Sequence, residues 1–196
     1  MKGPRYAVNR RVLAEAGDSI QRFVESGPTA LGDKLGPLLW QFAPTKKFDE
    51  ADFGAFLELL PKTFDGRKLR HTVEVRHASF VTPAFIKLLR KFEIPVVFAE
   101  HETCPAIADV TGDFVYARLQ KGNDSVKTGY APKALDAWAA RARTWAEGGV
   151  PADLPLADPE HKAKARPRDV FAYFIHEGKV RAPHAAMELL KRLQTS

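Results

Sequence analysis

The chain has 196 residues, 45% hydrophobic and 28% charged, with a formal charge of +6 and a pI near 9.5. This is the composition of an ordinary soluble globular protein long enough for one sizeable core. No apolar run approaches the about eighteen residues of a membrane span, no apolar stretch follows the basic opening to make a secretory signal, and a lone cysteine, Cys104, excludes an intrachain disulfide. A reducing, cytoplasmic setting with no membrane partner is expected.

In chain order, MKGPRYAVNRR opens with Lys2, Arg5, Arg10 and Arg11, and a helix is predicted from Val12 to Ser26. PLLWQF (37–42) reads as a strand with Trp40 and Phe42 on one face and Gln41 on the other. DEADFGAFLELL places Phe53, Phe56, Leu57 and Leu60 on one helical face behind Asp49 as N-cap. The next strand, HTVEVRH (71–77), is followed by TPAFIKLLRKF, which opens with Thr82 as cap and Pro83 at the first helical position. IPVVFA (94–99) is a strand with a weak helix after it, and FVYARL (114–119) another strand. PKALDAWAARARTWAE stripes Leu135, Trp138, Ala142 and Trp145 along one face. VFAYFIH (170–176) is the last strand, and PHAAMELLKRL closes the chain with Met187, Leu190 and Leu193 facing inward.

Strands that alternate with helices need crossover connections, so the expected class is α/β with a parallel sheet. One connection is unusually long: GGVPADLPLADPEHKAKARPR (148–168), with four prolines and a basic tail of Lys162, Lys164, Arg166 and Arg168. It is expected to be a mobile structural insertion whose charges are solvated. A basic surface admits nucleic acid as a partner, yet no aromatic residues interleave with these cations as base stacking would require.

The strand at 71–77 carries the sharper signal. Val73 and Val75 share one face, while Thr72, Glu74 and Arg76 share the other. Both faces of a parallel sheet are covered, so Glu74 and Arg76 are expected to line an enclosed site. The same alternation puts Tyr116 with Arg118 on one face of 114–119, and Phe171, Tyr173 and Ile175 on one face of 170–176. Two cations facing one acid leave a positive surplus suited to a phosphate or carboxylate. The competing reading is a buried ion pair without chemistry.

Together the blocks GDKLGPLLWQFAP, VEVRHASF, DVTGDFVYARLQ, YAPKALDAWAARARTWA and VFAYFIHE resemble successive segments of the YecE-like proteins, the family of domain of unknown function 72. The resemblance covers essentially the whole chain. It implies a TIM-type (β/α) barrel with parallel strands and a single domain over 1–196, without an established activity. Two departures stand out. The family's opening GTSGW-like strand and the strand after it are not recognisable here. KGPRY resembles the K-x-P-R segment that ends the third strand, which implies an incomplete barrel of about six of the eight βα units. Where many relatives resemble YFNN, this chain has Phe174, Ile175, His176 and Glu177. An unclosed barrel would expose two sheet edges, through which self-association is expected.

On this reading the candidate catalytic residues are Glu74, as general base or electrostatic residue, with His77 and Tyr173. Arg76 and Arg118 are the anion anchors, with Gln41, Tyr116 and His101 completing the substrate-binding set. His77 could equally cap the loop that follows it. The HETC segment lacks a second ligand cluster, so no metal is expected, and the absence of a Walker loop or G-x-G-x-x-G leaves no support for a nucleotide cofactor. Three functions remain open: an enzyme acting on a small anionic or sugar-like substrate by metal-independent acid–base chemistry, a non-catalytic binder of phosphate or nucleic acid, and an inactive barrel fragment.

Overall fold

The computed structural model describes residues 1–161, 163–175 and 180–194. Lys162, His176 and Glu177, singled out above, lie outside the described residues. In order the elements are α1 (Arg5–Val8), a 3-10 turn (Leu13–Ala16) leading into α2 (Gly17–Glu25), a second 3-10 segment (Pro28–Lys34), β1 (Leu38–Gln41), α3 (Glu50–Glu58), β2 (Thr63–Phe64), β3 (Arg67–Lys68), β4 (His71–Glu74), a 3-10 turn (Ala78–Phe80), α4 (Pro83–Phe92), β5 (Val97–Glu100), β6 (Phe114–Leu119), α5 (Pro132–Ala146), β7 (Asp169–Phe174) and α6 (Ala182–Gln194).

The helix starts follow from capping chemistry. The Asp49 carboxylate accepts from Asp52 N at 2.9 Å and the Thr82 hydroxyl from Phe85 N at 3.3 Å, each satisfying an amide that the first helical turn leaves unpaired. Pro83 and Pro132 open α4 and α5, where the missing N–H costs nothing.

β1 pairs with β4 and β5–β6–β7 form a second ladder, all parallel. A bridge from Val73 to Val96 links the two ladders, with Val73 N donating to Pro95 O at 3.0 Å. Residues 1–3 run along the other side of β1: Leu39 N donates to Met1 O and Gly3 N to Leu39 O, both at 2.8 Å. Gly3 lies flat on Trp40, and a Cβ there would sit 2.4 Å from Trp40 Cε3, so this approach requires glycine. The parallel order is thus residues 1–3, β1, β4, β5, β6, β7. Among the described residues the strands form no closed barrel, and β7 pairs with β6 alone.

One face of the sheet packs against helices. Trp40, Phe42, Phe53, Phe56, Phe80 and Phe85 form the centre of one buried cluster there. Phe98, Leu135, Trp138 and Trp145 anchor another. Each such fully buried ring contributes about 1.5–3 kcal/mol through removal from water. The opposite face carries a small apolar layer of Leu39, Val97, Phe114 and Tyr116, backed by Phe171.

Four expectations change. No helix follows β5, because residues 101–113 are irregular and Ala108 N is instead taken by Pro155 O at 2.9 Å. Between α3 and β4 an antiparallel hairpin appears, turned by Asp65 (φ 50°) and Gly66 (φ 70°), the two left-handed residues of a tight primed turn. α6 buries Ala185 and Leu189, whereas Met187 and Leu190 are more than half exposed. The 148–168 loop, finally, is fastened rather than free. Asp109 accepts from Ala157 N at 2.6 Å and Asp158 N at 3.1 Å, and Arg90 pairs with Asp158 at 2.6 Å. Arg168, expected in solvent, is buried and donates to the carbonyls of Trp145, Gly149 and Lys164, and burial lowers its pKa.

Candidate functional site

Parallel register brings the polar residues of separate strands to one end of the sheet. Gln41 stands beside Glu74 across β1 and β4, and Ala99, Arg118 and Tyr173 are neighbours across β5, β6 and β7. All project at the carboxyl ends of their strands, from the face that carries the Leu39–Phe114 layer.

Glu74 is the centre of the cluster, with its side chain only 1% exposed. Its Oε1 accepts from Arg76 Nε at 3.0 Å, and its Oε2 from Gln41 Nε2 at 2.8 Å and from Arg118 Nη1. Both oxygens are therefore occupied by donors from β1, β6 and the segment after β4. A buried carboxylate is tolerable only with such partners. The guanidinium groups are partly open, Arg118 being 12% and Arg76 26% exposed, and each keeps N–H groups that Glu74 does not use.

Sequence reasoning missed Lys2 as a member of this site. Its Nζ donates to Gln41 Oε1 at 2.6 Å, extending the network to residues 1–3. Burial lowers the Lys2 pKa, and the positive Arg118, Arg76 and Arg5 lower it further, while Glu74 opposes them. The available signal was the KGPRY segment, matched to a strand end by resemblance. Lys2, Arg76 and Arg118 against Glu74 leave two positive charges in excess.

Tyr116 and Tyr173 join from the β6–β7 side, their rings stacked with centroids 4.9 Å apart. Burial raises the pKa of the Tyr116 phenol, with Tyr173 adding to the effect, so Tyr116 stays a proton donor. Tyr173 is 42% exposed and is the more accessible phenol.

The two histidines are used locally. His77 Nδ1 accepts from Ser79 N at 3.1 Å and lies 2.9 Å from Ser79 Oγ, capping the turn after β4. His101 Nδ1 does the same for Thr103 after β5. Among the described residues neither bonds to the Glu74 cluster. Nor do the described residues contain a group of three or more His, Cys, Asp or Glu side chains placed to hold a metal ion. No helix among them is long and apolar enough to cross a membrane.

Parallel strands interleaved with helices, and charged side chains gathered at the strands' carboxyl ends, define an α/β protein with a cation-rich strand-end cluster. The family follows directly. The profile described as Protein of unknown function DUF72 matches residues 1–196, and the chain belongs to that family, consistent with the YecE-like character of its sequence blocks. Its structure is similar to that of a DUF72 family protein from Thermotoga maritima MSB8, with a TM-score of 0.65 and 16% sequence identity over 97% of this chain and 70% of that one. At that identity the likeness concerns the fold alone. No curated protein matches the chain.

Proposed function

We propose that the protein binds a small anionic ligand, a phosphate- or carboxylate-bearing or sugar-like molecule, at the carboxyl ends of its strands, and turns it over by metal-independent acid–base chemistry. The observation that supports this reading is the saturated Glu74 carboxylate. With both oxygens occupied, Glu74 works better as the element that aims Arg76 and Arg118 than as a free base. Those two guanidinium groups and Lys2 then offer a fixed set of donors to negative charge. In this reading Tyr173 is the group positioned to pass a proton, with Gln41 and Tyr116 shaping the wall, while His77 and His101 brace the loops around it.

The arc of strands is, in the same reading, part of a TIM-type (β/α) barrel, whose sites form at the carboxyl ends of several strands. Cys104, unpaired, accords with a cytoplasmic setting.

Calorimetric titration with inorganic phosphate, sulfate and a sugar phosphate tests the proposal. Saturable binding is expected, weakened about tenfold or more by Arg118→Met or Arg76→Met. Affinity unchanged in both variants would remove the site. A steep salt dependence with an oligonucleotide, and none of these small anions bound, would favour a nucleic-acid backbone as ligand instead.

A further inference from the structure

We infer that the chain has a second binding site at the opposite, amino-terminal ends of the strands, shaped for a small amphipathic anion. A cavity of about 430 Å³ lies there between the β2–β3 hairpin, the ends of α3 and α4, and the start of β4. That volume is in the range of small-molecule pockets. Its wall is apolar where Leu57, Leu60, Leu69 and Ile94 line it, and cationic where Lys62, Lys68, Arg70 and Arg166 do.

Charge accounting at this cavity favours a ligand with one negative end. Lys68 is paired with Asp113 at 3.3 Å, and Arg70 with Asp169 at 2.8 Å. Arg70 is also clamped over the rings of Phe114 at 4.4 Å and Phe171 at 5.1 Å, which fixes its guanidinium, and its Nε is buried without a hydrogen-bond partner. His71 contributes no charge, because its Nδ1 accepts from Trp40 Nε1 at 3.0 Å and its other nitrogen donates to Pro61 O at 2.8 Å. That leaves Lys62 and Arg166, exposed and without an ion-pair partner among the described residues, against Glu93. A headgroup bearing one negative charge satisfies the surplus, and an apolar body of medium length fills the Leu–Ile wall. A second, more open cavity of about 550 Å³ shares Lys68, Arg70 and Asp113 and gives the ligand a way in.

None of these residues belongs to the Glu74 cluster, so the two sites stand or fall separately. The probe is decanoate, used below its micelle concentration and titrated calorimetrically into the full chain. The expected result is one saturable site, weakened about tenfold or more by the double variant Lys62→Glu, Arg166→Glu, with decanol binding far more weakly. Both substituted side chains are exposed, and an unchanged unfolding temperature verifies that the variant is folded. No saturable binding of decanoate, equal affinity in the charge-reversed variant, or equal affinity for decanol would each overturn the inference.

Discussion

A buried carboxylate that takes donors from three separate segments cannot be removed without leaving Arg76 and Arg118 facing each other. Glu74→Leu is therefore expected to lower the free energy of unfolding by about 3–5 kcal/mol, with Glu74→Gln less damaging because it keeps a hydrogen-bonding oxygen. Urea denaturation of the two variants checks the order. His71 provides a pH signal. Burial holds its pKa below the ordinary 6.5, so below that value the unfolded chain takes up a proton that the folded chain refuses. Its contribution to stability is thus full above 6.5 and declines as pH falls towards the folded-state pKa. Comparing the pH slope of unfolding free energy in the wild type and in His71→Gln should show a shallower slope in the variant. At this scale the sequence was most informative where period-two alternation put Thr72, Glu74 and Arg76 on one side of a strand. Lys2 escaped because its position depends on the close approach of residues 1–3 to Trp40, a contact that only the folded chain reveals.

Elements with chemical punctuation were legible. Asp49, Thr82–Pro83 and Pro132 mark helix starts by local hydrogen bonding and backbone restriction alone. The Asp65–Gly66 turn was equally local and went unread, since each hairpin strand is only two residues long and carries no periodicity. α6 illustrates the other failure. Its apolar residues fit more than one helical stripe, and packing against α5 and β7 selected Ala185 and Leu189 over Met187 and Leu190. The 148–168 loop owes its order to partners distant in sequence, above all Asp109. Asp109→Ala should therefore release it, and limited trypsin digestion should cut after Lys164 several-fold faster than in the wild type.

For the molecule as a whole, the alternation of strands and helices was enough to give a parallel α/β architecture, because crossover connections leave little choice. Whether the sheet closes was not legible in the alternation itself, as it depends on which strands meet at the edges; only the family resemblance implied an unclosed barrel. β7 keeps one edge unpaired among the described residues, and Tyr173, Ile175, Met187 and Leu190 are exposed near it in sequence. Such an edge favours pairing with another chain. Sedimentation velocity should show concentration-dependent association, reduced by the double variant Met187→Glu, Leu190→Glu. Most direct for the strand-end site is the NMR signal of the Arg76 and Arg118 Nε–H groups during titration with inorganic phosphate. The site described here predicts saturable shifts of both signals, lost for Arg76 when Arg118 is replaced by methionine in a folded protein. Signals that stay fixed throughout the titration, or that move identically in the variant, would contradict it.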